Sequence, residues 1–237
     1  MIQTEGIFVG GSAISAPIVG EDFNWSGGDG TYQVLDDGSG NWRIKFLSSG
    51  TFTPLKNMVI DAFLLGAGGG SGSDYCGAGG AGYTTTVRSV VLAANTAYSI
   101  VVGAAGTNGN PSSAGGETTA FTASAAGGKN TSNGTSSSKR PGGAGGSGGA
   151  GYVSPVATTT GGTDGGDGTS SATTGGKGQG TTTREFGEAD GTLYASGGGS
   201  NLTATVSNSG NGGRNGITSI EPADGIVVIR QHKEVAA

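Results

Sequence analysis

The chain has 237 residues, of which 53 are glycine and only 33% are hydrophobic. Its formal net charge of −5 argues against a nucleic-acid-binding surface, because such surfaces are basic. A single cysteine, Cys76, excludes a framework of disulfides within the chain and cannot by itself form a cysteine metal cage.

The N-terminal part of the chain has the pattern of β-strands. Residues 31–35 and 41–47 alternate apolar and polar side chains, and the turn formers at 36–40 lie between them. This arrangement predicts a β-hairpin. We assign residues 1–57 to an N-terminal β region.

The remaining strands are predicted from short apolar runs. Residues 58–65 are the longest such run and predict a buried strand, while 83–92 and 97–102 predict a further strand pair. The β-branched run at 225–230 has no local partner, so we expect it to return to the early sheet and close the domain. No apolar stripe has the period of an amphipathic α-helix.

Residues 103–220 consist mainly of Gly, Ser, Thr, Ala and Asn. Glycines recur every third residue at Gly142, Gly145, Gly148 and Gly151. Three residues per turn is the period of a left-handed extended helix, whose backbone must find hydrogen-bond partners outside itself. The expected fold is therefore all-β with polyglycine II helices. Residues 58–237 form one glycine-rich domain, in which a small sheet or sandwich frames a bundle of glycine-rich helices.

The sequence offers little for catalysis, a cofactor or a metal. The only histidine, His232, follows the last strand and is expected to be exposed, and no serine–histidine–carboxylate set stands out from the spacing. Glu185 and Glu188 are better explained as a solvated acidic loop than as a glycosidase pair. Asp164 and Asp167 are better explained as loop residues than as calcium ligands. We therefore predict a protein that is not an enzyme and has no catalytic, cofactor-binding or metal-binding residues.

The large aromatic side chains in and next to the glycine-rich region are few, and several lie where a glycine run is interrupted. Rigidly held aromatic loop residues are typical of binding surfaces. The alternative is that these residues fill the ends of the glycine bundle. The candidate receptor-binding residues are Tyr75, Tyr152, Phe186 and Tyr194.

The order of several segments resembles the glycine-rich domain proteins encoded by bacteriophages and prophages, which are associated with tails or tail fibres. The segments are the strand at 42–46, the run at 59–70, the block Gly-Gln-Gly-Thr-Thr-Thr-Arg-Glu-Phe-Gly-Glu at 178–188 and the closing run at 225–230. Together they span about four-fifths of the chain. A looser resemblance is to tail-fibre-tip adhesins in which a polyglycine sandwich carries the host-recognition loops.

This resemblance implies a structural protein of the virion tail that binds the host, in which the N-terminal β region at 1–57 serves attachment and oligomerisation. Its implied partners are other tail proteins, a glycan or protein receptor on the bacterial surface, and further copies of itself. These copies would form a trimer on a fibre axis. We expect neither nucleic-acid binding nor membrane insertion. We also expect the protein to be synthesised in the host cytoplasm without a signal peptide.

Three alternatives stay open. The first is a purely structural component of the baseplate or capsid. The second is an ice-binding protein that uses the threonines at 158–160 and 181–183. The third is a polysaccharide-degrading tail enzyme that uses Glu185 and Glu188.

Overall fold

Across the described residues, ten strands form two antiparallel five-stranded sheets in the computed structural model. The strands are β1 (Phe23–Trp25), β2 (Tyr32–Gly38), β3 (Asn41–Phe46), β4 (Gly50–Pro54), β5 (Met58–Leu65), β6 (Thr84–Leu92), β7 (Tyr98–Val101), β8 (Thr118–Ala120), β9 (Ala123–Ala125) and β10 (Ile226–Gln231). The first sheet has the order β1-β4-β7-β8-β9 and the second the order β2-β3-β10-β5-β6. The structure describes residues 17–18, 20–38, 40–135, 140–152, 159–169, 175–199, 202–214 and 220–232.

Two strand predictions are confirmed. Strands β2 and β3 form the expected hairpin, with Tyr32 opposite Phe46. Strand β10 returns to the early sheet and lies between β3 and β5, with Val228 opposite both Lys45 and Phe63. Its apolar, β-branched sequence suits this central place, because both of its faces are buried.

The predicted pairing of β6 with β7 is wrong. Strand β6 pairs with β5 in the second sheet, whereas β7 lies between β4 and β8 in the first. The turn between them carries the chain from one sheet to the other. It is fixed by Asn95, which has a φ of 58° and donates its amide to the carbonyl of Pro54.

Strands from both sides of the predicted boundary at 57/58 share the two sheets. Strand β3 precedes the boundary and pairs with β10, while β4 precedes it and pairs with β7. The hydrophobic core between the sheets combines aromatic residues from before the boundary with aliphatic residues from after it. Its fully buried members include Phe23, Phe46, Phe52, Ile60, Leu64 and Ile229.

The second sheet is buried on its other face as well. Phe63, Leu65 and Val228 point away from the first sheet and pack against Phe186 and Tyr194. The alternation of side chains along a strand explains the division, since Leu64 faces one core and its neighbours face the other. The same alternation places Arg43, Lys45, Asp61 and Arg230 on this second face.

The glycine-rich segments continue directly from the ends of the strands. They form a region that we call the glycine-rich array: residues 66–83, 103–116, 126–131, 142–151, 161–169, 175–179, 195–199 and 209–213. Backbone hydrogen bonds join these segments to one another, while many of their residues carry no side chain beyond hydrogen or methyl.

The hydrogen bonds of the array follow a period of three residues. In the segment 78–83, two amides that are three residues apart donate to the same neighbouring segment. Ala78 and Ala81 donate to Ala150 and Ser147, Gly79 and Gly82 to Gly213 and Gly210, and Gly80 and Tyr83 to Lys129 and Ala126. One segment is therefore bonded to three others in three directions, whereas a β-strand is bonded in two.

The bundle of helices predicted at 103–220 is not observed in the described residues of this range. Where the structure describes this range, the only helical element is the 3₁₀ turn Glu185–Gly187. The segments run as extended chains because glycine disfavours the α-helix, and their amides bond to neighbouring segments instead of to their own. Across the described residues there is no helix with the length and apolar character that spanning a bilayer requires.

Candidate functional site

Three segments of the array meet in a loop cluster around Tyr75. The amide of Ser73 donates to the side-chain oxygen of Asn133 over 2.7 Å, and the amide of Gly134 donates to the carbonyl of Asp74 over 2.9 Å. The amide of Arg140 donates to the carbonyl of Tyr75 over 3.1 Å. We call residues 72–76, 131–135, 140–141 and Tyr152 the aromatic tip.

Two tyrosine rings form the surface of the aromatic tip. The ring centroids of Tyr75 and Tyr152 are 5.6 Å apart, with an angle of 45° between the ring planes. Tyr75 is 41% exposed and has a φ of 46°. The tip therefore presents an aromatic surface on a backbone fixed by hydrogen bonds.

Buried groups anchor the tip from below. The Thr131 hydroxyl donates to the carbonyl of Gly77 over 2.6 Å, and the Cys76 thiol donates to the carbonyl of Gly72 over 2.8 Å. Burial raises the pKa of Cys76 to about 11, so its thiol is protonated at neutral pH. Cys76 is thus a structural side chain and not a reactive thiolate.

The other two candidate receptor-binding residues lie in the interior. Phe186 is 3% exposed and Tyr194 is 8% exposed, and both rings pack against Phe63 on the second sheet. Burial and the nearby carboxylate of Glu185 raise the pKa of Tyr194, whose hydroxyl accepts a hydrogen bond from Lys45. The structure therefore brings Tyr75 and Tyr152 together and assigns Phe186 and Tyr194 to the core.

An ionic cluster covers the end of this second core. Arg43 contacts the buried carboxylate of Glu185 over 2.7 Å, and Arg230 contacts Glu188 over 2.7 Å. The Arg230 guanidinium also lies 4.1 Å from the centre of the Phe186 ring. These residues, together with Trp42, line a pocket of about 300 Å³.

Both carboxylates of the hypothetical glycosidase pair are held in ion pairs. The hydrogen bond from Arg230 lowers the pKa of Glu188, whereas a general acid requires a raised one. Glu185 is 2% exposed and contacts both Arg43 and Lys45. Glu185 is therefore a buried electrostatic contact and not part of the solvated loop that we expected, whereas the side chain of Glu188 is 41% exposed in its ion pair.

The two aspartates considered for calcium bond to donors of their own chain. Asp164 accepts hydrogen bonds from Thr182 and from the amide of Thr183, and Asp167 accepts from Lys177 and from the amide of Gly178. Hydrogen bonds from these donors lower the pKa of both carboxyl groups. The described part of the chain contains no group of three or more histidine, cysteine, aspartate or glutamate residues placed to hold a metal ion.

The threonines considered for ice binding do not form an exposed row. Thr159 is 2% exposed and Thr183 is fully buried, where its hydroxyl donates to the carbonyl of Tyr194. Thr158 lies outside the described residues. Of the six threonines, only Thr160 and Thr181 are described as exposed.

Sequence reasoning missed the ionic cluster and the buried carboxylate of Asp61, which joins it through Arg230. One signal could have identified it, since Asp61 interrupts the longest apolar run of the chain. A buried carboxylate requires partners, and these come from strands distant in sequence. His232, expected to be exposed, is one of them: its side chain is 20% exposed and its Nδ1 lies 2.6 Å from Asp61.

The family comparison agrees with this architecture. Residues 47–230 match the model of a family described as a glycine-rich domain, and this range runs from the end of β3 into β10. No curated protein matches the chain. Since the match covers well over half of its length, the chain belongs to the glycine-rich domain family.

Proposed function

We propose that this chain is a structural protein of a bacteriophage tail or tail fibre that binds a receptor on the host surface through the aromatic tip. The observation that carries the proposal is the Tyr75–Tyr152 ring pair, in which Tyr75 is exposed and Tyr152 half-buried, held on loops that the glycine-rich array fixes. The resemblance of the sequence to phage glycine-rich proteins supplies the setting.

The construction of the tip supports binding. Aromatic rings give a large contact area at a small cost in conformational entropy, and polar groups beside them supply direction. Asp74, Asn133 and Arg140 are such groups next to Tyr75. Because backbone hydrogen bonds already order these loops, little further ordering would oppose binding.

We also propose that the segments of the array adopt the polyglycine II conformation. The support is the three-residue period of their hydrogen bonds and the bonding of one segment to three neighbours. A threefold extended chain sends successive amides in three directions, which is the pattern that such a network needs. The result is a scaffold held mainly by backbone bonds.

A purely structural role in the baseplate or capsid is the second candidate. The burial of Phe186 and Tyr194 favours it, because two of the four aromatic candidates serve the core. In either role, other tail proteins and further copies of this chain, a trimer on a fibre axis, are the proposed partners.

Cell binding tests the receptor-binding role. The purified protein is incubated with a panel of intact bacterial strains, and bound protein is measured by flow cytometry. The double variant Tyr75→Ala/Tyr152→Ala is expected to bind a recognised strain at least about tenfold more weakly, since truncated aromatic contacts of this kind cost more than about 1.4 kcal/mol.

The matched control is Leu193→Ala. Leu193 is also 41% exposed but lies outside the aromatic tip, so its variant should bind as the unchanged protein does. Circular dichroism and thermal unfolding establish that each variant is folded. Equal loss of binding in both variants, or full binding by the double variant, contradicts the role of the tip, and binding to none of the strains favours the purely structural role.

A further inference from the structure

Ser89, His232 and Asp61 are joined in a row by hydrogen bonds. The Ser89 hydroxyl oxygen lies 3.1 Å from Nε2 of His232, and Nδ1 of His232 lies 2.6 Å from a carboxylate oxygen of Asp61. Ser89 lies on the edge strand β6, Asp61 on β5, and His232 directly after β10. Hydroxyl, imidazole and carboxylate in this order form the arrangement that activates serine in hydrolases on unrelated folds.

The protonation states follow from the surroundings of Asp61. Burial raises the pKa of this carboxyl group, but hydrogen bonds from His232, the Ser89 amide and Arg230 outweigh that effect and lower it overall. An ionised carboxylate only accepts hydrogen bonds, so an imidazole that carries one proton has it on Nδ1, which faces Asp61. Nε2 is then the acceptor that faces the Ser89 hydroxyl.

Two guanidinium groups hold Asp61 in place. Arg88 and Arg230 each lie 3.2 Å from the second carboxylate oxygen, while His232 contacts the first. The carboxylate is 2% exposed, so its orientation is fixed from all sides. Such a fixed carboxylate keeps the imidazole in one tautomer and one orientation.

The backbone of Ser89 is strained. Its φ is 57°, in the left-handed region that favours glycine, and it lies where the pairing of β5 with β6 shifts register between Ile60 and Ala62. Such conformations are strained for residues other than glycine and cluster at functional sites. Glycine would adopt this φ with less strain than serine does. What serine has and glycine lacks is the side-chain hydroxyl, which faces His232.

An apolar patch borders the imidazole. Val59 and Val91 are cross-strand partners and are 41% and 73% exposed. The amide of His232 donates to the carbonyl of Val59 over 2.9 Å, which places the backbone of His232 next to that of Val59. Two valines offer enough surface for an acyl group of a few carbons.

From this geometry we infer that Ser89 is a nucleophile, activated by His232 and Asp61, that cleaves short-chain carboxylic esters. The Ser89 oxygen bonds to the acyl carbon while its proton passes to Nε2 of His232. The bond from that carbon to the alcohol oxygen then breaks, and the alcohol leaves with this proton. Arg88, adjacent to Ser89, contacts Asp61 and donates to the carbonyl of Phe186, so its positive charge holds the carboxylate that orients His232.

Water completes the cycle. Nε2 of His232 takes a proton from a water molecule, whose oxygen attacks the acyl carbon of the acyl-serine. The bond to the Ser89 oxygen breaks, and the serine recovers its proton from His232. One ester and one water give one carboxylic acid and one alcohol.

Covalent labelling tests the nucleophile directly. The full chain is treated with a fluorophosphonate probe, which bonds its phosphorus to an activated serine oxygen with loss of fluoride, and the labelled peptide is identified by mass spectrometry. We expect the label on Ser89 and not on Ser99, an exposed serine of β7 that has no histidine beside it, since His232 is the only histidine in the chain.

Three variants complete the experiment. Ser89→Gly should abolish the label and the hydrolysis of p-nitrophenyl butyrate while the protein stays folded, because glycine suits the backbone there. His232→Gln should slow labelling by about a hundredfold or more, the usual contribution of a general base. Ser99→Ala should change neither. Equal labelling of Ser89 and Ser99, or a labelling rate that His232→Gln leaves unchanged, overturns the proposal.

Discussion

At the scale of single residues, Gly79 illustrates how the array is held together. Its amide donates to the carbonyl of Gly213 over 2.9 Å, and its carbonyl accepts from the amide of Gly198 over 2.9 Å. A methyl group at Gly79 would overlap the carbonyl oxygen of Gly69 in the adjoining segment. Close approach of backbones, rather than a special φ, is what requires glycine here.

Alanine at Gly79 should therefore be strongly destabilising. The atom that it meets belongs to backbone fixed by other hydrogen bonds, so the array cannot yield as a flexible side chain would. We expect Gly79→Ala to lower the free energy of unfolding by about 3 kcal/mol or more. Denaturant titration followed by circular dichroism measures this change.

The matched control is Gly166→Ala in the same array. The one atom near a methyl group at Gly166 is the carbonyl oxygen of Thr163, at 3.2 Å. This variant should stay within about 1 kcal/mol of the unchanged protein, because alanine also restricts the unfolded chain. Equal effects of the two substitutions would argue against close backbone packing in the array.

At the scale of elements, β10 joins the two halves of the second sheet. It pairs with β3 on one side and β5 on the other, and its residues Ile226–Ile229 are buried. The edge strand β6, by contrast, exposes Val91. β-branched side chains are therefore buried in β10, whereas Val91 of β6 is exposed to solvent.

Truncation of apolar side chains in these two strands should show the difference. Ile229 is fully buried in the core between the sheets, so Ile229→Ala should lower the free energy of unfolding by about 2–5 kcal/mol. Val91 is 73% exposed, so Val91→Ala should change it by less than about 0.5 kcal/mol. A large effect at Val91 would indicate that β6 is covered in solution.

At the scale of the whole molecule, the ionic cluster ties the second sheet to the segment that covers it. Asp61 on β5 contacts Arg88 on β6 and Arg230 on β10, and Arg230 also contacts Glu188 beyond the 3₁₀ turn. Three strands and the covering segment therefore share one set of charges.

This cluster predicts loss of stability in acid. The pKa of Asp61 lies below its ordinary value of 3.8 and that of Glu188 below its ordinary value of 4.5. A pKa that is lower in the folded state gives stability above the unfolded-state value, and this stability disappears as the pH falls through the folded-state value. The free energy of unfolding should therefore decline progressively below about pH 4.5.

Denaturant titrations between pH 7 and pH 2 measure the decline. Asp61→Asn should lose about 3 kcal/mol at pH 7, because Arg88 and Arg230 lose their buried partner, and its decline in acid should be shallower. Asp29→Asn, in the exposed turn before β2, should reproduce the curve of the unchanged protein. If the stability curve of Asp61→Asn ran parallel to that of the unchanged protein, the loss of stability in acid would not come from Asp61.

The sequence by itself determined the elements whose signals are local. The β2–β3 hairpin follows from alternation on either side of a turn, and the inward return of β10 follows from an apolar run without a neighbour. The three-residue spacing of glycines from Gly142 to Gly151 anticipated backbone-to-backbone contact, because glycine alone admits a second backbone that closely.

Only the tertiary structure decided which distant side chains meet. Ser89 and His232 are 143 positions apart and His232 and Asp61 are 171 apart, so no spacing indicates their contact. Likewise, Phe186 is buried and Tyr75 exposed although both interrupt glycine-rich sequence. Side-chain alternation tells which residues share a face of a strand, but the partner of that face depends on long-range pairing, which composition and period do not encode.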